Sequence, residues 1–127
     1  MTEGAGENME LLCKSASGVD IAFVQGGQAD APEAKGVVML ASLYYQPLWI
    51  FVRKGEPIDS LAALVGRRVS TGMPGSGSHA LGVPLLAANG VTDANSTLVS
   101  MPNDRAPAAL AGRVIDAALL VGGAGTP

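Results

Sequence analysis

Residues 67–90 read Arg67-Arg68-Val69-Ser70-Thr71-Gly72-Met73-Pro74-Gly75-Ser76-Gly77-Ser78-His79 and then "ALGVPLLAANG". "RRVST" has the β-branched, half-apolar character of a strand. "SHALGVPLLAAN" has helical spacing and stops at Gly90, with Pro84 inside it, so a kink or a late helix start is expected there. Glycines 72, 75 and 77 fall between the two, where they permit positive φ and close approach of a ligand to the backbone. Ser76 and Ser78 add hydroxyls. The helix start adds unpaired N–H groups and a partial positive charge. In a parallel sheet such a loop sits beyond the carboxyl end of its strand, where ligands bind. The combination suits a small anion, a carboxylate or a phosphate. The same residues also read as a plain strand-to-helix turn whose serines only cap the helix.

Three more specific loop chemistries fail on the residues. A P-loop needs G-x-x-x-x-G-K-[ST], and no lysine follows these glycines. A dinucleotide fingerprint needs G-x-G-x-x-G, but Gly75-Ser76-Gly77 runs on to Ala80. A nucleophile elbow needs G-x-S-x-G; Ser76 has Pro74 and Ser78 at two residues' distance, and Ser78 has Ser76 and Ala80. No second histidine is present to act as a base, since His79 is the only one.

Reading outward from the loop, "ENMELLCKSASG" places Met9, Leu12 and Cys13 on one helical face and ends at Gly18. "VDIAFVQ" alternates Val19, Ile21 and Phe23 as a short strand. "GGQADAPEAKG" is a polar loop. "VVMLASLYY" and "PLWIFVRK" are continuous apolar runs around Gln46-Pro47, the pattern of strands covered on both faces. "PIDSLAALVG" reads as a short helix capped by Asp59 or Ser60 and ended by Gly66. After the loop helix come "STLVSM" as a strand, "NDRAPAALAGR" as a helix with Pro107 in its first turn, and "VIDAALLVGG" as a strand. This alternation predicts an α/β fold with a mostly parallel sheet flanked by helices.

Composition narrows the function. The chain has 127 residues, 48% of them apolar, and a net charge of −3. That is enough for one core and speaks against a nucleic-acid groove, which needs concentrated Lys and Arg. The lone Cys13 cannot form an internal disulfide or a cysteine metal cluster, and reads as a small buried helix residue. No metal, cofactor or catalytic set is indicated: no paired acids, nucleophile–base pair or ligand cluster occurs at useful spacing. No apolar run approaches the roughly 20 residues that span a bilayer, and "MTEGAGENMELL" does not read as a signal peptide. Several side chains admit two readings. Tyr44, Tyr45 and Trp49 line a cleft or fill an edge-strand core. His79 touches the anion or is solvated in the first helical turn. Asp20 and Asp116 face a cleft or are surface acids near strand starts.

"SLAALVGRRVSTGMPGSGSHALGVPLLAANGV" resembles the central segment of the solute-binding proteins of TRAP transporters, TAXI branch, where a glycine–serine loop precedes a helix at this spacing. "GENMELLCKSASGVDIAFVQGG", "LASLYYQPLWIFVRKGEPIDSLAAL" and "ALAGRVIDAALLVGGAGTP" are similar to further segments of that family in the same order. The resemblance implies a type 2 periplasmic-binding-protein fold of two lobes, with residues 1–50 in lobe one and 51–127 in lobe two, or the two joined in one compact α/β unit. It implies a periplasmic receptor that binds a small organic anion, such as an amino acid or dicarboxylate, and passes it to membrane transporter subunits. Matched residue by residue, it puts the ligand against Gly75, Ser76, Gly77 and Ser78, with Asn8, Gln25 and Tyr44 as further contacts. Ala5 and Gly6 stand where the family has a serine. Such a protein has about twice this length, so the lobes are expected to be incomplete. Unpaired sheet edges seek partners, and a homodimer or a domain swap is expected. Two rival functions use the same fold: the effector-binding domain of a transcriptional regulator, and a small phosphate-handling enzyme.

Overall fold

The computed structural model describes residue 2, residues 4–26 and residues 34–122. Helix α1 spans Ala5–Cys13, strand β1 Leu48–Val52, strand β2 Arg68–Ser70 and helix α2 Gly77–Ala88. Strand β3 spans Thr97–Val99, helix α3 Ala106–Ala111 and strand β4 Ala117–Val121. Two 3-10 turns, Leu61–Leu64 and Asn103–Arg105, precede β2 and α3.

The four strands form one sheet in the order β1-β4-β2-β3. β2 runs parallel to both β3 and β4, whereas β1 pairs antiparallel with β4. The sheet is thus mostly parallel and flanked by helices, as the alternation predicted, with β1 as the antiparallel exception. β4 is central, and this explains its unbroken apolar run. Ala117 and Leu119 face one side and pack with Leu64, Val69, Leu86 and Val91. Ala118 faces the other side, with Ile115 and Ala106. Leu86 comes from α2 and Ala106 from α3, so a helix covers each face of the central strands. α2 lies close on β4: a Cβ at Gly82 would stand 3.0 Å from Leu119 Cδ2.

Register also builds the other end of the sheet. Val52 and Val69 both sit opposite Ala117, which brings Arg53, Asp116 and Arg68 side by side on three strands. Asp116 Oδ1 accepts from Arg68 Nη2 at 2.9 Å and from Arg53 Nη2 at 3.1 Å. Its Oδ2 accepts from the Arg68 amide and Nε. Arg53 also donates to the Ile115 carbonyl at 2.6 Å and to Glu56 at 2.9 Å. Asp116 is 7% exposed. Hydrogen bonds from Arg68, joined by that from Arg53, hold its carboxyl well below the usual carboxylate range. Of its two readings, cleft residue or surface acid, neither describes it: Asp116 is a buried staple.

Several expected elements differ. Residues 19–25 and 37–45 were expected as strands but join no ladder. A strand needs a hydrogen-bonded neighbour, and among the described residues neither run has one. β1 was expected to be covered on both faces; it is an edge strand with Trp49, Ile50 and Phe51 exposed. The short helix at 57–66 is only a 3-10 turn, since Ser60 supplies no side-chain cap. α2 shows no late start: Ser76 caps it and it runs from Gly77 through Pro84. Cys13 is half-buried.

Candidate functional site

The loop between β2 and α2 occupies the carboxyl edge of the sheet. Thr71 continues the parallel ladder by donating its amide to Val99 O at 3.1 Å. Gly72 then turns the chain at φ +81°, and a Cβ there would meet Ser76 Oγ and Ser78 Cβ at 2.8 Å each. Only glycine fits both the dihedral and the space.

The two serines do different work. Ser76 is the N-cap: its Oγ accepts the His79 amide at 3.3 Å. Ser78 is 1% exposed. Its Oγ accepts from the Val121 amide at 2.9 Å and from Asn103 Nδ2 at 3.2 Å, tying α2 to the end of β4. His79 is half-buried, with Nδ1 3.3 Å from the hydroxyl of the buried Thr71. Among the described residues no protein acceptor takes the Gly77 or Ser78 amide. These two N–H groups are the positive end of the α2 dipole. No lysine or arginine makes a described contact with the loop, so the site's positive potential comes from the backbone.

The first part of the chain folds onto this loop. The Gly6 amide donates to Gly75 O at 3.3 Å, and a Cβ at Gly6 would stand 3.2 Å from that oxygen. A serine at position 6 would therefore crowd the loop, which accounts for the glycine found there. Gln25 reaches furthest into the site. Its side-chain amide covers Gly77, where a Cβ would collide with it. Gln25 Nε2 donates to Gln46 Oε1 at 2.7 Å, while Gln25 Oε1 is buried without a partner among the described residues.

Of the residues singled out from sequence, Gly75, Ser76, Gly77, Ser78 and Gln25 are together at the mouth of α2. Asn8 stands at one remove: its Nδ2 donates to Phe23 O at 2.9 Å and its Oδ1 accepts from Thr2 Oγ1, so it binds α1 to the 18–25 run. Tyr44 is 74% exposed and makes no described hydrogen bond to the loop. Gln46 and Asn103 were not anticipated. Gln46 had a weak signal, a polar residue before Pro47 between two apolar runs. Asn103 had none beyond its role as a helix-cap candidate, because its partner Ser78 is 25 residues away.

The arrangement offers two amide donors to an anionic oxygen and one buried acceptor, Gln25 Oε1, beside them. The described hydroxyl–imidazole contact at the loop is that of Thr71 Oγ1 with His79 Nδ1 at 3.3 Å. Among the described residues no group of three His, Cys, Asp or Glu could hold a metal, and no helix is long and apolar enough to cross a membrane.

Comparison with known proteins gives the same type of fold. The alkanesulfonate-binding protein SsuA from Xanthomonas axonopodis pv. citri, in a structure bound to MOPS, aligns with a TM-score of 0.50 at 25% identity. The alignment covers 59% of this chain and 25% of that one, so the chain spans about a quarter of the neighbour's length. No curated protein matches. The NMT1-like family model matches residues 1–127, and the chain belongs to the NMT1-like family.

Proposed function

We propose that this chain is the solute-binding receptor of a transporter, of the TRAP type that its loop and flanking segments resemble. In this reading it works in the periplasm, binds a small organic anion at the α2 mouth and hands it to membrane subunits. It carries out no reaction on the ligand. The supporting observation is the pair of amides at Gly77 and Ser78, which have no protein acceptor among the described residues while Ser76 caps the rest of the turn.

Gln25 narrows the choice between an amino acid and a dicarboxylate. A buried acceptor without a partner is unfavourable by about 1–3 kcal/mol, and Gln25 Oε1 is such an acceptor. A ligand with an anionic head for the amides and an N–H donor for Gln25 satisfies both sides at once, as an amino acid does. Without an arginine or lysine beside the loop, a singly charged head suits the site better than a phosphate dianion.

Calorimetry and thermal shift with glutamate, glycine, succinate, ethanesulfonate and inorganic phosphate test this reading. A true ligand at a hundredfold its Kd stabilises the fold by about 2.7 kcal/mol. Amino acids are expected to give the largest shift, succinate a smaller one and phosphate none. Phosphate alone shifting the melting point would favour a phosphate-handling protein. No shift with any of the five would sink the receptor reading.

A further inference from the structure

Two side-chain amides meet beside the mouth of α2. Gln25 Nε2 donates to Gln46 Oε1 at 2.7 Å. The other end of the Gln25 amide is turned to the helix: Oε1 lies nearer than Cδ or Nε2 to the point a Gly77 Cβ would occupy. A side-chain amide donates at one end and accepts at the other. Whichever end pairs with position 46 therefore leaves the opposite one for a ligand. Gln46 is the better anchored of the two. It precedes Pro47, which confines its backbone to extended conformations. Pro47 O accepts the Gly122 amide at 3.3 Å, and Leu48 opposite Val121 begins the β1–β4 ladder. Gln25 lies outside every helix and strand.

We propose that Gln46 is a positioning residue that sets the ligand class: by accepting from Gln25 Nε2 it holds Gln25 Oε1 toward the α2 mouth, so that the site favours anions that also carry an N–H donor. This role rests on the receptor reading above and adds to it the residue that decides which end of Gln25 the ligand meets. The terminal torsion of glutamine is broad and roughly two-fold. Without the Gln46 oxygen the Gln25 amide turns end for end, and Nε2 then donates to an anionic oxygen as readily as Oε1 accepts from an ammonium group. With Gln46 in place, reversal takes both amides turning together.

Calorimetry with glutamate and ethanesulfonate measures the ratio of their Kd values. Both carry a single net negative charge, and only glutamate carries an N–H donor. Wild type is expected to favour glutamate. Gln46→Met keeps the length of the side chain and removes its acceptor, and the preference is expected to fall about tenfold or more, through glutamate rather than ethanesulfonate. Gln46→Ala is expected to do the same, so that either variant serves if the other does not fold. Gln46→Glu offers only acceptors and is expected to keep the wild-type ratio within about threefold. In a Gln25→Ala background Gln46→Met is expected to leave the ratio unchanged within about threefold, because no amide remains to be oriented. A wild-type ratio in both Gln46→Met and Gln46→Ala overturns the proposal and leaves the receptor reading standing. So does a Gln46→Glu variant that behaves like Gln46→Met, or an equal fall in the Gln25→Ala background. Wild type that binds neither probe removes the receptor reading and this role with it.

Discussion

The Ser78 hydroxyl oxygen accepts the Val121 amide at 2.9 Å, so the first turn of α2 is fastened to the last residue of β4. The same oxygen receives Asn103. Ser78→Ala leaves the half-buried Val121 amide without an acceptor, a loss of about 1–3 kcal/mol, while the exposed Asn103 side chain can turn to water. The expected result in urea denaturation is a loss of about 2 kcal/mol. Ser76→Ala removes one cap and is expected to lose about 1 kcal/mol. Equal effects from the two would contradict the division of labour between them.

Gly72→Ala tests the turn. Its φ of +81° and the 2.8 Å approaches to Ser76 and Ser78 leave no room for a methyl group. A strained backbone plus a clash predicts at least about 2 kcal/mol of destabilisation. Ligand-dependent stabilisation is expected to disappear as well. Near-wild-type melting would show that the loop can take another path.

Gly77→Ala is expected to behave differently. The atoms nearest the added Cβ belong to the far end of the Gln25 side chain, which can swing away. Alanine is also the better helix former. Melting is expected to stay within about 0.5 kcal/mol of wild type, while amino-acid affinity drops at least tenfold through loss of the Gln25 acceptor. Simple carboxylates are expected to lose less. If both ligand classes weaken equally, Gln25 does not select.

Asp116→Ala strands Arg53 and Arg68, whose charge-assisted bonds end on this carboxylate. Breaking a buried pair from one side is worth about 3 kcal/mol, discounted here because the Arg68 side chain is 44% exposed. A loss of about 2 kcal/mol is therefore expected in urea denaturation. Asp116→Asn keeps one acceptor oxygen and is expected to lose less.

The same carboxylate predicts an acid limb. Its folded pKa lies below the unfolded value of 3.8. The native state therefore favours the ionised form, and that stability is fully present only well above 3.8. It declines as pH falls through about 4 and below, where the unfolded chain takes up the proton first. Urea midpoints measured from pH 6 down to pH 2 are expected to fall more steeply for wild type than for Asp116→Asn. Parallel curves would remove Asp116 as the cause.

Much of this architecture was legible from sequence because it rests on local signals. The strand–glycine–helix succession at 67–90 predicted β2, the turn and α2, since Gly72 and Ser76 act within a few residues of themselves. β4 was visible as an unbroken apolar run because its two faces are both buried. What failed depended on partners. The runs 19–25 and 37–45 carry strand-like side chains, yet pairing is a property of two segments and neither has a ladder neighbour among the described residues. The tie from Ser78 to Val121 was not visible because nothing in sequence places the two side by side. Asp116 looked like a surface acid or a cleft residue because its register opposite Arg53 and Arg68 exists only once three strands are aligned.

That register separates two jobs along the strands. The ionic lattice of Arg53, Asp116 and Arg68 clamps the sheet where β2 and β4 begin, a full strand length from the glycine turn where they finish. Changes in what the turn accommodates can therefore accumulate without loosening the clamp, and related chains can diverge in guest preference while keeping the same frame.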